Sequence, residues 1–153
     1  MNLDILLLII NTAATWFMTG LIWFVQIVHY PLFDGVGTSE FQAYAERHRQ
    51  LTTLVVFSPM VIEICTAALL AMTWRRADGW LLWICFAMVI GIWVSTALCS
   101  IPCHAKLCGT GYSEVTHHWL VTSNWIRTLL WTARAVILGN IIFKLLAQID
   151  IPK

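Results

Sequence analysis

Long apolar stretches alternate with short polar breaks along this chain. Residues 3–29, 51–74, 79–101 and 119–146 run almost without charge. Each is long enough for a bilayer, since a helix needs about 20 apolar residues to cross a hydrocarbon core of roughly 30 Å. The breaks carry turn and cap chemistry. His29-Tyr30-Pro31 predicts the end of the first segment, because proline disfavours helix at the residue before it. Thr38 or Ser39 is a candidate N-cap for an amphipathic helix that runs through Arg49 into the second segment. Pro59 predicts a bend near the middle of that segment. The turn Arg75–Gly79 is short, so the second and third segments are expected to be antiparallel neighbours. Ile101-Pro102 predicts the end of the third, followed by a loop over 102–112. Ser113 then starts the fourth helix, with no acid at the position that would complete a capping box.

The expected fold is all-α: an integral membrane four-helix bundle, with a short amphipathic helix before the second span, forming one domain over residues 1–153. The first segment differs from a secretory signal. Asp4 is its only charge, and Leu3 to Val28 is longer than a signal core of about 7–15 residues. It reads as a retained span.

Within each segment the polar residues recur at helical spacing. In the fourth, His117, Leu120, Asn124, Arg127, Trp131 and Arg134 fall within an arc of about 100°. In the second, His48, Thr52, Pro59, Glu63 and Thr66 lie within about 60°. Thr12, Thr15, Thr19, Gln26 and Tyr30 mark the first, and Thr96, Cys99 and Cys103 the third. Four helices, each with one polar stripe, imply a bundle lined by those stripes. Glu63 should lie ~18 Å along the second span, with Arg127 and Arg134 ~13 and ~24 Å along the fourth. An ion pair of Glu63 with Arg127 or Arg134 would avoid isolated charge in low dielectric. Such a pair either sets helix register or marks a functional path, as ionisable residues within membranes often do.

Composition agrees with the pattern. Of 153 residues, 59% are hydrophobic and 11% charged, against about 25% charged in soluble domains. Nine tryptophans suit headgroup regions, where an apolar ring and an N–H donor are both accommodated. A net charge of +1 with no basic run gives no reason to expect a nucleic-acid partner, and membrane lipid is the expected one. Arg75, Arg76, Lys144 and Lys153 fall on one side, and Arg47, Arg49 and Lys106 on the other. The positive-inside rule therefore favours a multi-pass protein of the bacterial inner membrane with both termini cytoplasmic.

All five histidines fall on the opposite side from the termini. His29, His48, His104, His117 and His118 could gather at one mouth of the bundle. Three or four imidazoles brought within ~5 Å would hold a transition metal, and two on facing helices could ligate haem. They could equally be interfacial residues without a cofactor. Cys99, Cys103 and His104 resemble a haem c attachment motif, but with one residue too many between the cysteines. Cys103 and Cys108 are either free thiols or, on an oxidising face, a disulfide. Cys65 and Cys85 sit inside spans as small packing residues.

No P-loop, dinucleotide fingerprint, hydrolase elbow or zinc-protease motif is present. The arginines of the fourth span are too few for a voltage sensor.

Several stretches together carry a resemblance. They are Gly20-Leu-Ile-Trp-Phe-Val-Gln-Ile-Val-His-Tyr-Pro-Leu-Phe33, Phe41-Gln-Ala-Tyr44, Pro59-Met-Val-Ile-Glu63, Asn124-Trp-Ile-Arg-Thr128 and Trp131-Thr-Ala-Arg134. The chain resembles small bacterial four-helix membrane proteins of uncharacterised role, and is distantly similar to the anthrone-oxygenase-like membrane proteins. That similarity implies oxidation of a small aromatic or lipophilic substrate near the mouth, with His29, Glu63, Asn124 and Arg127 at the matched polar positions. The Cys-rich stretch 99–108 departs from that pattern.

Two readings follow. In the first, an outer-facing pocket performs metal- or haem-assisted oxidation. A histidine acts there as ligand or base, Glu63, paired with Arg127 or Arg134, orients or relays a proton, and Asn124 and Arg127 steady negative charge on oxygen. In the second, the protein is a transporter, sensor or assembly subunit whose polar seam only packs helices. A permeation path would require an oligomer, because four helices are few for a channel.

Overall fold

The computed structural model describes residues 3–149. Lys153, counted above among the cations of the terminal side, lies outside them. Four helices are long and apolar enough to cross a membrane. α1 spans Leu3–Phe24, α2 Phe41–Thr73, α3 Gly79–Ser95, α4 Ile101–Thr110 and α5 Glu114–Ile149. α3 and α4 form one rod, joined by a π-helical turn at Thr96–Ser100. α1 likewise continues through a π turn at Val25–His29 and a 3-10 turn at Pro31–Gly35. α1 packs on α2 and α5, and α3 packs on α2 and α5. The diagonals of this square are α1 with α3 and α2 with α5.

The molecule is polar inside and apolar outside, as a lipid solvent requires. Asn11, Thr15, Gln26, Glu63, Asn124, Thr128 and Arg134 are buried, whereas Leu54 is 75% and Leu98 71% exposed. Three apolar layers complete the interior. Leu8, Leu70, Leu82, Leu138 and Ile141 close the end near the termini. Met18, Ile22, Met60, Ile92 and Trp131 fill the middle, and Phe33, Phe41, Leu107 and Leu120 close the histidine end. On the outside, the Trp16 indole donates to the Ala135 carbonyl at 3.2 Å and that of Trp23 to Thr132 Oγ1 at 3.0 Å. These two outward-facing indole N–H groups are thereby satisfied.

The proline signals act differently from expectation. Pro102 does not end the third span, and no loop begins there; the chain remains helical to Thr110. Proline lacks an N–H and its ring collides with the carbonyl four residues back. The π turn immediately before it relieves that collision: Ile101 N–H reaches back to Thr96 O, one residue further than in an α-helix. Pro31 follows the same rule, with Tyr30 N–H bonded to Val25 O at 2.9 Å before the chain tightens into the 3-10 turn. Tyr30 itself stays helical. Both prolines are absorbed by widening the preceding turn.

The N-cap of α2 is Glu40, without a side-chain cap bond, rather than Thr38 or Ser39, which lie in the turn before it. The amphipathic stretch is the first part of α2 and not a separate short helix. Ser113 Oγ accepts the Thr116 N–H at 3.4 Å at the start of α5. Gly111, at φ +83°, breaks the chain between α4 and α5 in a conformation that a side chain would strain.

Candidate functional site

Two polar networks occupy the interior. The first lies at mid-span around Glu63, which is fully buried on α2. Its Oε1 accepts from Arg134 Nη1 at 2.7 Å and from Thr15 Oγ1 at 2.6 Å. Its Oε2 accepts from Trp131 Nε1 at 2.9 Å. Asn11, which the periodicity had not singled out, donates to the Glu63 carbonyl at 3.0 Å and to Thr66 Oγ1 at 2.8 Å, and accepts from Arg134 Nη2 at 3.3 Å. Of the two arginines weighed as partners of Glu63, the pair is made by Arg134. It spans the α2–α5 diagonal and ties α1 to both. Each carboxylate oxygen is engaged, so the negative charge is compensated where it stands.

The second network lies toward the histidine end and begins on the π turn of α1. Gln26 Nε2 donates to Val121 O at 3.2 Å, while its Oε1 accepts from Asn124 Nδ2 at 2.8 Å. Asn124 Oδ1 in turn accepts from Arg127 Nη2. The same Nη2 donates to the Tyr30 hydroxyl at 3.4 Å, and that hydroxyl meets His104 Nε2 at 3.1 Å. A guanidinium can only donate. Tyr30 therefore accepts from Arg127, and the same hydroxyl is the partner of His104 Nε2. The other ring nitrogen, His104 Nδ1, is a buried atom with no hydrogen-bond partner.

Three of the five histidines come together. His29 Nε2 and His48 Nδ1 are 2.8 Å apart, and Thr52 Oγ1 lies 3.1 Å from the same His48 nitrogen. The His48 and His104 ring centres are 5.3 Å apart. His117 stands apart. Its Nε2 donates to the Tyr30 carbonyl at 2.7 Å and its Nδ1 meets the Tyr112 hydroxyl at 3.2 Å, locking the end of the first helical rod to the start of α5. His118 is exposed and meets only Thr122, at 3.4 Å. The five do not form a ring. Among the described residues, no group of three or more His, Cys, Asp or Glu side chains is arranged to hold a metal ion. The cysteines, Cys103 and Cys108 included, are free. Five residues apart on one helix, those two point about 140° from each other.

A cavity of about 350 Å³ lies beside the second network. Its apolar wall is formed by Met18, Ile22, Val56, Met60 and Trp131, and its polar wall by Tyr30, His48, Ser100, His104 and Arg127. Exposed residues of α2 and α4, including Thr53, Ile101 and Ala105, line its edge, so it opens sideways between those helices. Both π turns contribute to it, Val25 from one and Thr96 and Ser100 from the other. π turns are frequent at functional sites because they re-aim side chains. Three of the lining side chains each hold a buried polar atom without a partner: His104 Nδ1, Ser100 Oγ and Arg127 Nε. Ser100 was missing from the sequence reading, since its inward aim depends on the π turn that precedes Pro102. Asn11 left a visible signal, a lone amide in an apolar run.

No protein-family model, curated protein or solved structure matches this chain.

Proposed function

We propose that this multi-pass membrane protein binds a small lipophilic molecule through an oxygen atom in the cavity beside Arg127. The observation that carries this reading is a cavity whose wall sets the side chains of Tyr30, His48, Ser100, His104 and Arg127 against an apolar remainder. Natural interiors leave few polar atoms unsatisfied, and three of those side chains hold one without a partner: His104 Nδ1, Ser100 Oγ and Arg127 Nε. A ligand oxygen in this cavity would accept from the Arg127 guanidinium, which can only donate. The remaining walls are apolar, and a volume of about 350 Å³ lies within the range of small-molecule sites. The sideways opening suits a molecule that partitions into the bilayer.

The same groups suit chemistry at that oxygen. Arg127 and His104 would stabilise negative charge developing there. The His48–His29 pair, linked ring to ring, can accept or return a proton. The resemblance to the anthrone-oxygenase-like proteins adds oxidation of an aromatic substrate as the reaction class. Glu63 and Arg134 belong in this reading to the scaffold, because their charges compensate each other at 2.7 Å and both Glu63 carboxylate oxygens are bonded. The packing role of the second reading therefore describes the Glu63 layer. We place the protein in the bacterial inner membrane with both termini cytoplasmic, on its charge distribution.

The test is equilibrium dialysis of naphthol and of naphthalene against the protein in mild detergent, with the Val56→Trp variant in the same micelles as reference. Val56 lines the cavity, so an indole there fills it and leaves only micelle partition. Naphthol retained above that reference, and above naphthalene, supports the reading. Equal retention of naphthol by both proteins overturns it.

A further inference from the structure

The two buried arginines differ in what neutralises them. Arg134 faces Glu63 at 2.7 Å with both side chains inaccessible to solvent. Arg127 is 7% exposed and sits roughly 20 Å along α5 from Glu114. Among the described residues the ion pairs are Arg134–Glu63 and Arg49–Glu46, so no carboxylate lies within ion-pair distance of Arg127. Its hydrogen-bonding partners are neutral, an amide oxygen of Asn124 and the Tyr30 hydroxyl. A guanidinium remains charged at any ordinary pH. A lone cation in the low-dielectric interior of a membrane protein is costly and is usually paired.

We infer that the cavity takes a lipophilic organic acid bound as its anion, with the carboxylate as the missing counter-ion of Arg127. This deepens the proposed function and rests on it. The Arg127 guanidinium, whose side chain lines the cavity, supplies a charge-assisted hydrogen bond. The hydroxyl-bearing Ser100 stands on the same wall as a further partner for the carboxylate. The hydrocarbon body lies against Met18, Ile22 and Met60, toward the sideways opening. Donors converge on the polar wall while it carries no acid, so an anion is accommodated without like-charge repulsion. Asn124 and Tyr30 hold the guanidinium in place and leave its charge uncancelled.

The experiment compares naphthoate with methyl naphthoate at neutral pH by the same dialysis, again with Val56→Trp as the partition reference. Acid and ester have similar shape and differ in charge. The expected result is naphthoate held about tenfold more tightly than the ester. Arg127→Gln is expected to remove that preference, and Arg127→Lys to keep much of it. Equal affinity of the wild-type protein for acid and ester overturns the anion inference and leaves the cavity reading standing. Retention of neither probe, nor of naphthol, above the Val56→Trp reference overturns both. The wild-type comparison decides the matter even if Arg127→Gln does not fold.

Discussion

The Glu63 layer and the Arg127 layer are built from the same ingredients, with opposite outcomes. Each places an arginine of α5 beside an asparagine and an aromatic side chain with a polar atom. In the Glu63 layer every carboxylate oxygen is bonded, the charges cancel, and α1, α2 and α5 are joined across the diagonal. In the Arg127 layer the cation has no carboxylate, three polar atoms lack partners, and a cavity stands where further side chains would close the wall. Each arginine leaves its Nε without a partner, so what separates the layers is charge: a compensated pair fixes the fold, while an uncompensated cation beside a cavity has interaction energy to offer a ligand. The contrast teaches that charge inside a membrane protein does not by itself mark a site. What marks it is charge left without a partner beside empty volume.

The comparison breaks most readily at Glu63. Glu63→Ala strands Arg134 in a buried site, and loss of one partner of such a pair costs about 3–5 kcal/mol. Denaturant unfolding in mixed micelles should show that loss, and a change below about 1 kcal/mol would remove the structural role argued for this layer. Glu63→Ala with Arg134→Met is expected to recover much of it, since replacing both ions with apolar groups is often neutral. Arg127→Gln should behave differently. It removes an unpaired cation and two hydrogen bonds, opposing effects, so stability is expected to change by less than about 1.5 kcal/mol while anion binding falls. A destabilisation as large as that of Glu63→Ala would show that the two layers do the same job.

Tyr30→Phe sharpens the point further. The hydroxyl links Arg127 to His104, so its removal costs about 0.5–1.5 kcal/mol and leaves His104 Nε2 without that partner. Nitrogen NMR of labelled histidine should then report a shifted His104 Nε2 resonance; an unchanged one would mean that Tyr30 makes no hydrogen bond to His104. The smallest effect is expected at the rim. Glu46→Gln breaks the ion pair with Arg49, which is exposed and only three residues away on the same helix. Exposed pairs of this kind contribute little, and the melting temperature should not move measurably. A clear drop would mean that this end of α2 is tied to the cavity more tightly than its geometry implies.

Several of these features were visible in the sequence and others were not. Stripes at 3.6-residue spacing put Glu63, Arg127 and Arg134 inside, because lipid leaves a charged side chain no other place to go. The spacing left both arginines open as partners of Glu63. Depth along a helix depends on where its ends lie, and the third and fourth helical rods proved longer than their apolar cores. Five histidines on one side of the chain suggested one cluster. Only His29, His48 and His104 meet, because the 3-10 turn after Pro31 presents the Tyr30 carbonyl to His117, and His118 points outward.

The hydrophobic pattern alone determined that four helices are long and apolar enough to cross a membrane and that their polar faces turn inward. Those outcomes follow from backbone hydrogen bonding and from the cost of polar groups in hydrocarbon, which act locally along each segment. The tertiary structure decided which polar groups satisfy one another. Pro31 and Pro102 read as helix ends, yet each is carried by a π turn that swings Tyr30 or Ser100 toward the cavity. That choice depends on the neighbouring helices, since a widened turn is stable only where packing accepts its bulge. Whether a buried arginine meets a carboxylate or an empty space is settled by the same packing, several ångströms across the bundle from the residue itself.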